Sequence, residues 1–427
     1  MTRATPLMEQ ERSPHVLALL LALVAATSGT ERGLIVPGLK LSDIVLVVLI
    51  GAIFVRWLGR WRIIDGLGLA VLGYAGVYAL MTLINFAQRP ELPVSELLPE
   101  LLSGPQFLLL YLVAFAIGQK TDRLTVWLKP TMIIASLMGL LAVVQVLDVG
   151  PTREILSVLT GAERLLDPLE WQVYRGTGLF PSWHALGMYL AIHAVIAIVL
   201  IGRETLEPRT RRWLFVAAIM CSIGILTTTT GTPMVIVAVA ILLYLLSPRN
   251  AVLVVLAGVV LTVGATATPI WENISQRIAV QFDGDSLIPS SFMYRVRIWE
   301  RDFIPLIEQS PWTGHGPVLA EAGLFEYMES MYITVLVYGG IPLLLALAVL
   351  VVAAWARMRA VASTAVAPML SGASRAMKFL MVMLAGFMVI HPYLADAGGA
   401  PMVFTALGVV SGFAYSQRAT TTEAIAR

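Results

Sequence analysis

Charge is scarce in this chain. Asp, Glu, Lys and Arg make up 13% of 427 residues, where a soluble globular domain carries roughly 25%. Cysteine is nearly absent. The one residue, Cys221, lies in an apolar run, which excludes a disulfide framework and leaves the redox compartment undefined. Histidine is sparse, and His184 and His193 are nine residues apart, too far for a helical i,i+4 metal pair. No zinc, haem or nucleotide-loop motif occurs, so no metal and no organic cofactor is expected. The net charge of +2 says little without its distribution, and no nucleic-acid partner is expected.

Hydrophobic residues, by contrast, make up 58% of the chain, and the mean hydropathy is +0.82. Apolar stretches of about 16 to 25 residues recur from end to end, the length that crosses a bilayer as a helix. The expected fold is an all-α polytopic membrane protein, one integral membrane domain over 1–427 with about twelve spans. They are placed at 15–29, 41–57, 63–85, 103–119, 124–147, 183–202, 213–229, 232–247, 251–269, 328–356, 377–392 and 399–416. The N-terminal stretch has no small-residue cleavage site, so its first apolar segment reads as a retained span.

Lys and Arg fall in alternate connections: Arg56, Arg60 and Arg62, then Lys120 and Arg123, then Arg203 to Arg212, Arg249, Arg357 to Lys378, and Arg418. By the positive-inside rule both termini are then cytoplasmic. Acid gathers instead in three outer segments, roughly 86–102, 149–182 and 270–327. The last two are too long for simple turns. Their periodic apolar runs, "ILSVL" and "FIPLI", predict short helices lying on the outer membrane face. No internal repeat is evident, which speaks against an inverted-repeat transporter.

Four outward features carry chemistry. "YRGTGLFPSWHALGMYL", 174–190, holds Arg175, two glycines that allow close backbone approach, and His184. Arg175 offers a planar fork for phosphate or carboxylate; it would equally pair with Glu170 as an interfacial arginine. "YRVRIWERDF", 294–303, puts Arg297 and Arg301 on one helix face and Arg295 beside Trp299. Such a cluster can neutralise a departing pyrophosphate, or be an amphipathic helix with snorkelling arginines. "SPWTGHGP", 310–317, forms an ordered turn around His315, a possible substrate contact or simply an exposed side chain.

The fourth is "FEYMES", 325–330, at the outer end of a span. Helical spacing puts Glu326, Glu329 and Tyr332 within reach of one another. A partly desolvated carboxylate there suits a general base, or pairs with a loop arginine. Gly339, Gly340 and Pro342 allow a kink just beyond. The "DGD" at 283–285 looks like a nucleotide-sugar metal motif, but it faces outward, where no nucleotide sugar is supplied.

Three stretches carry a family resemblance. "RGTGLFPSWHALG" from Arg175 is similar to R-x-x-G-x-F-x-x-x-x-x-x-G; "RVRIWERDFIPLIEQSPWTGHG" from Arg295 is similar to R…W…I…P-x-x-G-x-G. "ESMYITVLVYGGIPLL" from Glu329 resembles H-N-x-Y-L-x-x-L-x-x-x-G-x-x-G. Together they resemble O-antigen ligase-like and polysaccharide polymerase membrane proteins. The resemblance implies a metal-independent glycosyltransferase on the outer face of the bacterial cytoplasmic membrane. It would move a glycan from an undecaprenyl-pyrophosphate donor to an acceptor hydroxyl, with envelope-assembly proteins as possible partners. Glu329 and Tyr332 are then the catalytic candidates. Arg175, Arg295 and Arg297 bind pyrophosphate, and His184, His315, Arg301 and Glu326 are further substrate contacts. Two departures stand out: Glu329-Ser330 replaces the ligases' His-Asn, and "TTTTGTP" at 227–233 replaces a Ser-Arg that usually binds phosphate. Both favour a polymerase over a ligase. The alternative is a twelve-span transporter or flippase of an anionic or lipid-linked envelope precursor.

Overall fold

The computed structural model describes residues 7–36, 39–57, 64–88, 94–121, 123–162, 166, 174–202, 206–245, 258–259, 266, 269–281, 289–316 and 328–426. No strand occurs among the described residues. The helices run α1 (Leu7–Thr27), α2 (Leu41–Trp57), α3 (Gly66–Ala87), α4 (Val94–Gln119), α5 (Thr125–Val146), α6 (Thr152–Thr160), α7 (Trp183–Ile201), α8 (Pro208–Thr228) and α9 (Gly231–Tyr244). They continue with α10 (Pro269–Gln281), α11 (Ser290–Ile298), a π turn (Trp299–Phe303), α12 (Ile304–Gln309), α13 (Met331–Thr364), α14 (Pro368–Phe387) and α15 (Gly399–Ala426).

Among the described residues six helices are long and apolar enough to cross a membrane: α3, α5, α7, α8, α13 and the 399–418 part of α15. The apolar parts of α1, α2 and α4, and α9 itself, are shorter, at 10–17 residues. The expected count of twelve is therefore not reached among the described residues. In α4 the apolar part among the described residues is 106–119. The span expected at 251–269 lies almost entirely outside the described residues. The outer segment expected at 86–102 is helical from Val94, where it runs straight into α4. The other two long segments do hold short helices, α6 in one and α10 to α12 in the other.

α7 is the central post. Every residue from Ala185 to Ile201 is buried, and α8, α9, α14, α15 and α5 pack around it. The imidazole in that stretch, His193, is satisfied inside the bundle by Thr131 Oγ1 at 2.9 Å and the Tyr189 carbonyl at 2.7 Å. Beside it α5 and α8 touch through Gly139 and Gly224. A Cβ on Gly224 would sit 2.6 Å from the Gly139 Cα, and small residues of this kind let membrane helices approach closely.

At one end of α3, Asp65 gathers three helices. It caps α3 through the Gly68 amide at 2.9 Å, accepts from the Tyr111 hydroxyl of α4 at 2.7 Å, and pairs with Arg357 of α13 at 3.2 Å. At the other end α13 is broken. Gly339 and Gly340 leave helical geometry, Gly340 with φ 64 and ψ −160, a region open essentially to glycine alone. Pro342 has no N–H, so the Tyr338 carbonyl loses its helical donor. The turn at 310–316 supplies the missing partners. The Gly316 amide donates to the Tyr338 carbonyl at 3.1 Å, the His315 amide to Val337 at 2.6 Å, and the Ile341 amide donates back to Pro311 at 2.8 Å. Asn85 of α3 completes the joint, donating to the carbonyls of Thr313 and Met81, both at 2.8 Å.

Gly340→Ala tests this joint. Its Cβ would lie 2.5 Å from the Pro311 carbonyl oxygen, in a backbone region that costs a non-glycine residue about 1–3 kcal/mol before any clash. Thermal unfolding of the purified protein in detergent, followed by tryptophan fluorescence, is expected to show a clear drop in midpoint. A midpoint equal to that of the parent would refute the joint.

Candidate functional site

The break in α13 sets the position of its first residues. Ser330 caps the helix, and the Met331 amide donates to the Met388 carbonyl at the end of α14, at 2.8 Å. Trp299 of the π turn donates its indole N–H to the Met328 carbonyl at 2.8 Å. Between these two anchors Glu329 takes a positive φ of 46, which a non-glycine residue holds only where its surroundings over-determine it. Its carboxylate forms an ion pair with Arg295 of α11. Both side chains are mostly covered, Arg295 at 16% and Glu329 at 28% exposure.

Arg295 in turn lines a cavity of about 520 Å³, within the range of small-molecule sites. It opens where α7, α9 and α11 begin and α14 ends. Much of its lining is apolar: Met234 and Val235 of α9, Ile274 and Ile278 of α10, Phe387 and Ile390 of the α14 end. Polar groups share the lining: Arg175, His184, Arg295, His391, Tyr393 and the loop Thr229–Thr232. Arg175 lies over the Trp183 ring, 4.5 Å from its centroid, held by the cation–π attraction. The segment carrying it is fixed from behind. Gln145 of α5 accepts from the amides of Thr177 and Gly178 at 2.8 and 3.1 Å, and the Gly176 amide donates to the Thr227 carbonyl at 3.0 Å. The two glycines therefore serve close packing against α5 and α8.

The loop before α9 adds donors. Thr229 has φ 47, is 6% exposed, and its hydroxyl has no hydrogen-bond partner among the described residues. Thr230, the cap of α9, makes no side-chain cap bond, so the first amides of the helix present their partial positive charge towards the cavity.

Of the candidates named from sequence, the cavity brings together Arg175, Arg295 and His184, with Glu329 reached through Arg295. Others sit apart. Arg297 is exposed and bonds the Met293 carbonyl of its own helix at 3.4 Å. Arg301 pairs with its neighbour Asp302 at 2.7 Å on the surface, which raises the guanidinium and lowers the carboxyl from their ordinary pKa values. Tyr332 donates its hydroxyl to the Ala385 carbonyl of α14, a bond between helices, and the partner of Glu329 is Arg295. His315 bonds the Leu306 carbonyl at 2.8 Å in the joint described above. Glu326, with Glu170 and the "DGD" at 283–285, lies outside the described residues.

Sequence reading missed His391, Tyr393 and Asp396. They sit on the short turn between α14 and α15, where His391 reads as the tail of an apolar run. The only signal was "HPYLAD" itself, a polar interruption between two spans on the side that carries the other candidates.

A double-mutant cycle with Arg295→Ala and Glu329→Ala checks the pair. Thermal unfolding should give a coupling energy of about 1–2 kcal/mol, as for side chains in direct contact. Additive effects would show that the two groups do not interact.

Residues 215–348, from α8 through the break in α13, match the family model described as O-antigen ligase. No curated protein matches the chain. The matched stretch, under a third of the chain, contains Arg295, Glu329 and the 310–316 turn, and in it this membrane protein is similar to the O-antigen ligase family.

Proposed function

We propose that this protein is a membrane glycosyltransferase that takes a glycan from an undecaprenyl-pyrophosphate carrier and joins it to a sugar hydroxyl on the outer face of the cytoplasmic membrane, as a polymerase rather than a ligase. The observation that carries this reading is the cavity's mixed lining. Apolar side chains suited to a polyprenyl tail line the same cavity as two guanidiniums, two imidazoles and an uncapped helix terminus. Leaving pyrophosphate gains negative charge as the glycosidic carbon departs, and fixed donors aimed at that charge lower the barrier. Arg175 and Arg295 take this role, with the Thr229 hydroxyl and the amides of α9 in place of the arginine that the family usually carries there.

Glu329 enters as the residue that holds Arg295 at the cavity wall. Its carboxylate is engaged by that guanidinium, and Glu329 is not among the described residues that line the cavity, which favours an orienting role over proton abstraction. The charged groups of the site lie together at one end of the bundle. A transporter of anions would carry such groups near the midplane, so this placement supports chemistry over passage.

Purified protein in detergent, given a lipid-pyrophosphate-linked oligosaccharide and no nucleotide, is expected to release lipid pyrophosphate and lengthen the glycan. Arg175→Ala and Arg295→Ala should each lower kcat/KM by about 10²-fold or more, the size seen when a donor to developing charge is removed. Arg297→Ala should stay near the parent. Equal losses in all three variants would overturn the assignment of the arginines, and absence of transfer would overturn the reaction.

A further inference from the structure

The turn between α14 and α15 holds an imidazole–carboxylate dyad that no step above uses. His391 lines the cavity, and its Nε2 lies 3.1 Å from Asp396 Oδ2, the two side chains 15% and 12% exposed. An aspartate accepts and does not donate, so the hydrogen of the neutral ring sits on Nε2. That leaves Nδ1, a buried atom with no hydrogen-bond partner among the described residues, as the acceptor. The ring stacks on His184 with centroids 4.3 Å apart and planes 24° apart, and Tyr393 packs against it at 4.6 Å. Two imidazolium ions at that spacing would repel. The ring backed by Asp396 is the one equipped to take up charge. Glu329, in contrast, is not among the described residues that line the cavity, and its carboxylate is engaged by Arg295.

We propose that His391, held in its tautomer by Asp396, is the base that takes the proton of the acceptor hydroxyl; this rests on the glycosyl-transfer reading. The proton passes to Nδ1 while the acceptor oxygen forms its bond to the anomeric carbon. The bond from that carbon to the pyrophosphate oxygen breaks, and the electron pair leaves with the lipid pyrophosphate. Asp396 stabilises the imidazolium until it returns the proton to water. The groups that face the dyad are His184 from α7, Arg175 from the segment before it, and Arg295 with its partner Glu329 from α11 and the start of α13. Tyr393 shares the turn, and Lys40, between α1 and α2, lies close enough to Asp396 for their charges to interact.

The test is kcat against pH for the full chain in detergent, with the lipid-pyrophosphate donor and glycan acceptor. The parent should gain rate with rising pH through the imidazole range. His391→Gln should lower kcat by about 10²–10³-fold and erase that limb, Asp396→Asn should lower kcat by about tenfold, and neither should move the donor KM by more than about threefold. Glu329→Gln should keep the limb and raise the donor KM. A limb that survives in His391→Gln, or vanishes in Glu329→Gln, overturns the proposal. If the parent transfers no glycan, the glycosyl-transfer reading fails, and the dyad is then judged by ¹⁵N NMR of the imidazoles, with His391→Gln identifying the resonance among five histidines. An Nε2–H tautomer that is lost in Asp396→Asn supports the held ring; an Nδ1–H tautomer in the parent overturns it.

Discussion

A backbone carbonyl inside a membrane bundle has to be given a donor, since no water is at hand to replace a lost one. In α13 this constraint falls on Tyr338, whose helical partner is the proline at 342. The 310–316 turn exists, in physical terms, to answer it, and Asn85 secures the answer from α3. Everything at the candidate site hangs from that joint. The upper half of α13 can leave the line of the lower half because its open carbonyls are paired. Its first residues then meet Trp299 on one side and Met388 on the other. Those two contacts hold Glu329 in a backbone conformation it would not choose alone, and so bring its carboxylate to Arg295.

The same joint shows what a conspicuous motif does for the fold. Prolines, glycines and a histidine in "SPWTGHGP" read as a ligand loop, yet the amides of His315 and Gly316 are consumed by α13. The identity of a turn's partner is not written in its own residues. It follows from where another helix, some 25 residues later, has run out of donors.

Much of the rest was legible. Apolar runs located the helices, and the pair of glycines before Pro342 marked the break. Helical spacing put Arg295 beside Trp299, the two residues of that segment that face Met328 and Glu329. What failed was anything that depends on the ends of helices. The acidic segment before the fourth expected span is already helical from Val94 and continues into α4, which its charge did not reveal. Two residues along α11, about 200° of rotation, separate Arg295 in the cavity from Arg297 in the open, and the resemblance named both for pyrophosphate. His391 escaped notice because one imidazole at the end of "GFMVIH" gives no periodic signal. Only the fold sets it against His184, which is two hundred residues earlier in the chain.

The central helix has a consequence of another kind. α7 meets protein on every side, and lipid tails are as apolar as the leucines and valines that surround it. Solvent therefore cannot tell α7 where to stand, because moving it to the lipid would cost almost nothing in hydration. Its place is decided by shape: the notch at Gly187 that admits Pro233, and Gly398 pressed on the Ala185 backbone. Both contacts lie at the end of α7 that carries His184. Evolution is accordingly free to exchange one aliphatic side chain for another along most of this helix, and least free where a single methyl group would tilt it out of the cavity wall.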